Sequence, residues 1–544
     1  MSKIKIMALG GLNENGKNTY VIEVDDSIFI FDAGIKFVSE EMYGVDYIIP
    51  DYSYLVKNKK RIRGLFLTHA HPENVGAVFD LVKTIPGIHI YATKYTIEYL
   101  KLNGLNYPNI TEITAHHKIK FKTVSIFPIN VNHSVPDAVM YVINTKDGAV
   151  VYTGDFLIDP SMTGAFSMDL GKIAYVGKLG VLALLSESPF SEKIGHTSPN
   201  HRFEKFYQDI IHKAPGRVLI SLFEDHLYTI SEIFASLTNS HRKVVIMGHK
   251  LQSVLDMAIK NGYLKVKPNT IGDLSNINDK DSVILIDDDK KNQYHNIKKI
   301  MNGYDKFIKL KSNDTVLFAE PTYDYNEKRV VDIQNELALL NIESYTIPKS
   351  RDILQHASSE DLMMMIDLLK PKYYMPVEGE YRYMVNNANL AFDLGMPKEN
   401  IILKQNGEMV TIEDGKLLDK TETIKIDETL IDGAVGEDVG ELVIKDREIL
   451  SENGIVLISA TLSKKTKEIL VGPEVTTRGF IYVKDSSEII KEIKRISAEI
   501  ITNNATESVI DYNAIKQEIR EKLSKYFFEE TESKPMIIAV VQEI

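Results

Sequence analysis

Four apolar runs in this chain stop at aspartate or histidine. Ser27–Phe31 runs into Asp32-Ala33-Gly34, and Gly64–Leu67 into Thr68-His69-Ala70-His71. Ile126–Val131 runs into Asn132-His133, and Ala149–Tyr152 into Thr153-Gly154-Asp155. Short apolar runs bounded by turn residues read as buried strands. A single acid before glycine is an ordinary turn former, but the C-terminal ends of strands also border the crevice where open α/β sheets build their sites. Four endings, all Asp or His, call for a fold that gathers strand ends around one metal site. His69-Ala70-His71 places two imidazoles on one side of a loop, near enough to share an ion. Two surface-loop histidines are the plain alternative for that stretch taken alone. A helix-like segment, Asn74–Ile85, leads out of it.

The chain has 544 residues, room for two to four domains. A hydrophobic share of 44% with 26% charged residues is that of a soluble protein with a sizeable core. There is no cysteine, which excludes disulfides, thiolate-bound zinc and a cysteine nucleophile. The start, MSKIKIMALGG, is too short an apolar stretch for a signal peptide, and no 18-residue apolar run occurs. A cytoplasmic location and no membrane association are expected. A net charge of -12 argues against a polyanion-coating protein, though not against a local basic groove.

In chain order, Ile4–Gly11 reads as a strand entering a glycine turn, then come strands over Asn18–Val24 and Ile88–Thr93. Val181–Leu185 ends in Ser186-Glu187-Ser188. Strand-like Arg217–Leu222, Val244–Met247, Val283–Ile286 and Thr315–Phe318 alternate with helical segments, predicting a second parallel α/β unit. It interrupts the first, because site-like chemistry resumes at Gln355-His356-Ala357-Ser358 and at Pro376-Val377-Glu378-Gly379-Glu380-Tyr381-Arg382. A polar stretch near 413–427 leaves the core. Ile455–Leu462, Glu468–Val471, Gly479–Val483 and Pro535–Val541 read as strands of a small α+β module. Its helices carry an apolar stripe, Ile489, Ile493, Ile496 and Ile500, and span about Ala514–Phe528. The expected divisions are 1–182, 183–345, 346–428, a linker over 429–450, and 451–544.

Leu67–Asn74 resembles the metal-binding signature of the metallo-β-lactamase fold, His-x-His-x-Asp-His, with Glu73 in place of Asp and Asn74 in place of the last His. The whole chain resembles ribonuclease J, of the β-CASP group. The most specific matches are Gly16-Lys17-Asn18, Asn132-His133-Ser134-Val135-Pro136-Asp137, Thr153-Gly154-Asp155-Phe156, Leu185-Ser186-Glu187-Ser188, His356-Ala357-Ser358, Pro376–Arg382 and Gly472–Phe480. The resemblance implies an α/β fold: a metallo-β-lactamase αββα sandwich with an inserted β-CASP α/β domain and a small α+β C-terminal domain. It implies an RNA hydrolase with two divalent ions, acting as 5′-3′ exonuclease and endonuclease in messenger decay and ribosomal RNA maturation.

Carried over residue by residue, His69, His71 and His133 match the imidazole ligands of the first metal, and Asp155 the carboxylate that bridges both. That set suits zinc or manganese. Asp32 matches an outer residue that orients a ligand. The second set is altered at Glu73, at Asn74, and at Glu378, where the family has His. Only oxygen donors remain, so any ion there is weakly held and is Mn²⁺ or Mg²⁺. Glu73, Asp155 and His356 are the candidate catalytic groups; His356, Ser358 and Glu187 are the candidate phosphate contacts. Leu354-Gln355-His356 lacks the small Ser-Gly turn of the family, and Ile286-Asp287-Asp288-Asp289-Lys290 stands where the family has a glycine-rich loop. Each departure resembles the second, degenerate paralogue found beside an active one in Gram-positive bacteria.

Two functions compete. One is a ribonuclease slowed by its second site. The other is a non-catalytic subunit that binds and tunes an active ribonuclease J chain. Expected partners are RNA, that paralogue, and further copies of the chain as a homodimer or tetramer. A small-molecule hydrolase is disfavoured, since the insertion and C-terminal module would have no role in it.

Overall fold

The computed structural model describes residues 2–38, 44–288, 294–320, 322, 327–348, 350–351, 355–432, 437–438, 441–480, 487–505 and 510–544. Asp289, Lys290, Leu354 and Ile481–Val483 therefore lie outside the described residues. The chain divides into one unit of Met1–Phe37 with Tyr47–Thr429 and another of Val38–Asp46 with Leu430–Ile544.

The first unit is built on two mixed sheets facing each other. The first has the order Lys416–Leu417, Glu408–Glu413, Lys3–Gly10, Thr19–Val24, Ser27–Phe31, Ile62–Phe66, Ile90–Ala92, Ile110–Glu112. The second runs Tyr373–Pro376, Val181–Ser186, Gly148–Tyr152, Val139–Thr145, Ser125–Asn130, Ile119–Lys120. Between them lies a core of Ile6, Tyr20, Phe31 and Phe66 from one sheet and Ile126, Tyr141, Val150 and Met375 from the other. Phe31 stacks on Phe66 at 5.3 Å and Phe66 on Tyr91 at 4.8 Å. The outer face of the second sheet buries Ile173 and Val176 of helix Leu170–Leu179 and Leu362 and Met365 of helix Ser359–Leu369. This is the αββα sandwich.

Inserted within it is a five-stranded sheet, Lys243–Met247, Ser282–Asp288, Val218–Phe223, Thr315–Phe318, Glu343–Thr346, parallel throughout. Four of its strands are rich in Val, Ile and Leu, as burial on both faces demands, whereas the edge strand Glu343–Thr346 is polar and partly exposed.

The helix expected over 74–85 is two pieces, Pro72–Val75 and Val78–Thr84. The break has a cause. Ala33 N–H donates to the Asn74 carbonyl at 2.7 Å, taking the acceptor that the helix would have used. Asn18 N–H takes the Glu73 carbonyl at 3.0 Å and Ile35 N–H the Pro72 carbonyl at 3.0 Å. A Cβ on Gly34 would stand 1.5 Å from the Glu73 carbonyl oxygen, so only glycine allows this approach. The 16–18 and 33–35 segments thus strap the histidine loop through its backbone.

In the second unit, Ile455–Leu462 pairs antiparallel with Ile469–Arg478 and parallel with Met536–Glu543. Helices Ser487–Asn504 and Tyr512–Thr531 cover one face, burying Ile493, Ile500, Ile515, Ile519, Leu523 and Phe527 against Val456 and Ile458. Leu457, Leu470, Val471, Ile538 and Val540 are exposed on this sheet. The stretch read as a linker contains a helix, Glu441–Asn453.

Candidate metal centre

The strand ends meet as their sequence implies. His69, His71, His133 and Asp155 are all buried, and one donor atom from each lies within 4.8 Å of the others. His71 Nδ1 is 3.1 Å from both His69 Nε2 and His133 Nε2. Asp155 Oδ2 is 3.4 Å from His69 Nε2 and 3.8 Å from His133 Nε2. Donors bound to one zinc at about 2.0–2.2 Å are separated by such distances.

The outer nitrogens fix the tautomers. His69 Nδ1–H donates to Thr68 Oγ1 at 3.0 Å, and Thr68 Oγ1–H donates to Asp32 at 2.8 Å. His133 Nδ1–H donates to the Gln355 carbonyl at 3.2 Å, and His71 Nε2–H to Ser134 Oγ at 3.0 Å. Each imidazole therefore turns a lone pair inward, an arrangement of the kind that orients metal-binding histidines. Burial, then the His69 charge, holds the His133 pKa well below its ordinary value, so the ring is a neutral ligand. Burial alone would raise Asp155, but His69, His356 and His133 hold it below the usual carboxylate range. Asp155 Oδ1 is buried with no hydrogen-bond partner among the described residues. These four residues fit a divalent cation.

Asp32 sits behind the donors with a left-handed backbone, φ 59°. Its carboxylate accepts from Thr68 N–H at 2.8 Å, Asn74 Nδ2–H at 3.0 Å and Tyr152 O–H at 2.8 Å. Burial pushes its pKa up to about 6 despite the opposing His69 charge.

The three altered residues do not join the donor cluster. Asn74 turns its NH₂ to Asp32, while its oxygen accepts from Asn18 Nδ2 at 3.4 Å. Asp32 can only accept, so the Asn74 amide is committed away from an ion. Glu378 is buried with φ 61°. Burial, then the Asp155 carboxylate beside it, pushes its pKa well above the usual range. Glu378 Oε2, like Asp155 Oδ1, has no hydrogen-bond partner among the described residues. Among the described residues, Asp155 Oδ1, Glu378 Oε2 and Asn18 Oδ1 are the buried oxygens left without a hydrogen-bond partner here. Glu73 is half-buried, and its charge acts on Tyr99 of helix Lys94–Leu102.

His356 reaches the same place from the resumed core, its ring 5.9 Å from that of His133. Its Nδ1–H donates to Glu187 Oε2 at 2.5 Å, which leaves Nε2 for the open side. Burial opposes charge on His356, but Glu187 outweighs it and the pKa is raised. Glu187 is buried, and burial pushes its pKa up to about 7. Its other oxygen accepts from Phe156 N–H at 2.6 Å and Ala357 N–H at 3.3 Å, so it orients His356. Ser358 likewise serves the fold: it caps helix Ser359–Leu369 and pairs with Thr197 Oγ1 at 2.7 Å. Gln355 holds φ 59°, the conformation a glycine would favour, with its side-chain amide fully buried.

At the C-terminal edge of the inserted sheet, Asp287 accepts from Leu251 N–H at 3.1 Å, and a Cβ on Gly248 would meet the Asp287 side chain at 2.1 Å. Thr68, Ser134 and Tyr152 were missed as site residues. Thr68 and Tyr152 stand beside residues that were identified, and Ser134 follows His133 directly.

Four family descriptions match in succession: the metallo-beta-lactamase superfamily over residues 12–163, the ribonuclease J beta-CASP domain over 215–337, the Zn-dependent metallo-hydrolase RNA specificity domain over 355–402, and the ribonuclease J C-terminal domain over 442–544. Proteins named ribonuclease J 2 from Staphylococcus epidermidis and Staphylococcus aureus are 34% identical over 554 residues, covering 99% of this chain and 98% of theirs. A crystal structure of a protein of unknown function from Enterococcus faecalis V583 aligns with a TM-score of 0.52 at 15% identity, over 75% of this chain and 100% of that one, a likeness of fold alone. Four successive domain matches and full-length relatives agree with the donor geometry, and the chain belongs to the ribonuclease J family.

Proposed function

We propose that this chain is a slow, metal-dependent ribonuclease of the cytoplasm, with 5′-3′ exonuclease and endonuclease action on messenger and ribosomal RNA. The observation that carries the reading is the contrast between the two ion positions. Four convergent donors remain at the first, whereas Asn74 is held by Asp32 and Asn18 at the second. One tightly held ion, Mn²⁺ or Zn²⁺, on His69, His71, His133 and Asp155 is the expected catalytic complement. A second, on Asp155 and Glu378, is weak and is Mn²⁺ or Mg²⁺.

A divalent ion at the first position supplies Lewis-acid charge against a phosphate oxygen and acidifies a water. The protein's own groups do the rest. Asp32, Thr68, Ser134 and the Gln355 carbonyl hold the imidazoles in register. His356, whose pKa Glu187 raises, would present Nε2–H to the leaving oxygen. Glu73 is the remaining candidate for proton removal, from its displaced position.

A second reading is a subunit that binds and tunes an active paralogue. Asp287 under Gly248 favours it, because an acid replaces the small, amide-rich loop that would cradle phosphate. The exposed Leu470, Val471, Ile538 and Val540, with the edge strand Met536–Glu543, suit self-association or pairing with that paralogue. Single-turnover cleavage of RNA by the isolated chain, with and without Mn²⁺, separates the readings. Mn²⁺-dependent cleavage supports the enzyme; no cleavage, together with co-sedimentation with the paralogue, supports the subunit.

A further inference from the structure

A fifth strand ends as the other four do. Val218–Phe223 of the inserted sheet runs into Glu224-Asp225-His226, and Asp225 and His226 are buried. The His226 ring lies 5.6 Å from that of His71. One donor atom each from His71, Asp225 and His226 fall within 4.8 Å of one another. His226 Nε2 is 3.8 Å from Asp225 Oδ1, too long for a hydrogen bond and equal to the His133–Asp155 separation at the first position. His71 Nδ1 belongs to that first group, so the donor His71 would offer here is Nε2, which lies 3.0 Å from Ser134 Oγ.

A second observation concerns the same neighbourhood. The Tyr95 hydroxyl is fully buried and has no hydrogen-bond partner among the described residues. Burial raises its pKa, and the charges of Asp225, then Glu224, then Asp137 raise it further, so these carboxylates are within electrostatic reach of it. Tyr99 beside it feels Glu224, Asp225 and Glu73. A buried hydroxyl without an acceptor marks a place where a water or an ion completes the structure.

We propose that His71, Asp225 and His226 form a zinc site on the outer side of His71, distinct from both catalytic positions. Two imidazoles and one carboxylate are a zinc donor set, with the fourth position left to Ser134 Oγ or water. The Nε2 proton of His71 leaves to solvent as the ion binds, and the ring then bridges two ions. An ion across an imidazole ring is beyond the roughly 3.5–4 Å at which two metals clamp one phosphate. Its role is therefore to pin the inserted domain to the core: His71 belongs to the core, and Asp225 and His226 to the insertion.

The test is zinc titration of the metal-free full-length chain, counting bound ions against a chelator, with Co²⁺ absorption as an independent probe. The full chain binds two equivalents. Asp225→Asn and His226→Gln each weaken the second equivalent by at least about tenfold and leave the first in place; Glu378→Gln leaves both. Using two near-isosteric variants guards against misfolding of either, and circular dichroism checks the fold. A single equivalent in the unmodified chain overturns the proposal. So does a second equivalent that survives both substitutions, or one lost in Glu378→Gln, which would place it at the catalytic pair. None of these results depends on the rate of RNA cleavage.

Discussion

The four-donor cluster and the altered residues beside it share a loop, the Asp155 carboxylate and a backbone frame, yet differ in what their side chains do. At the first, every imidazole has an outer partner and an inward lone pair. At the second, the amide of Asn74 is satisfied by Asp32 and Asn18, and two carboxylate oxygens are left side by side. A ligand set persists where neighbours force donors inward. It is lost where a replacement finds its hydrogen bonds within the protein.

The largest effect should come from breaking the intact half. Asp155→Ala removes a donor from the first position, and activity should fall by about a thousandfold or more, the several kcal/mol that a metal ion supplies. Metal analysis and single-turnover cleavage check it; an unchanged rate would mean that the first position is not catalytic. Next comes repair of the other half. Glu73→Asp, Asn74→His and Glu378→His together should add a tightly held ion and raise the rate roughly a hundredfold. A gained ion without gained activity would locate the defect around Gln355 and Asp287.

RNA binding should be indifferent to the contrast. Affinity of the original and the repaired chain should fall in parallel, at least about tenfold between 50 and 200 mM salt, through counterion release. A flat salt profile would refute phosphate contacts.

Glu187→Gln should slow cleavage by about tenfold, less than the roughly 10²–10⁴-fold that a proton-transfer group itself contributes, because Glu187 acts through His356. The sign for the pH profile follows from Glu187 raising the His356 pKa. Without that carboxylate the imidazolium form disappears at lower pH, so the alkaline limb shifts down. A limb that stays in place would remove His356 as the proton donor.

The smallest effect is a control on the claim that a raised carboxyl marks an ion position. Glu232 is also buried, and burial raises it to about 8, yet one of its oxygens accepts from Phe203 N–H at 2.9 Å. Its folded pKa exceeds its unfolded value. Stability should therefore be greatest below the unfolded pKa and decline as pH rises toward 8. Denaturant unfolding of Glu232→Gln across that range should lose this slope, with metal content unchanged.

Much of the centre was legible because strand endings are local: Asp32, His69, His71, His133 and Asp155 each follow an apolar run. What escaped was partnership. Glu187 reads as a phosphate contact in the chain, but its partners His356, Phe156 and Ala357 include two residues about 170 positions away. The broken helix after Pro72 was hidden for the same reason, since Ala33 intervenes from the loop that follows another strand. The Asp225-His226 ending was open to the same pattern, but it lies in the inserted sheet, where a link to His71 has no sequence signature.

The strap on the histidine loop has a consequence for how this protein can change. Its main-chain contacts, and the bare Cα of Gly34 that lets them close, do not depend on the side chain at 73 or 74, although Asn18 also meets the Asn74 amide. Chemistry and architecture are therefore separable there. A lineage, or an experimenter, can strip the loop of its ligands and refit them one codon at a time without remaking the turn, whereas a single methyl group at position 34 would close that route in either direction.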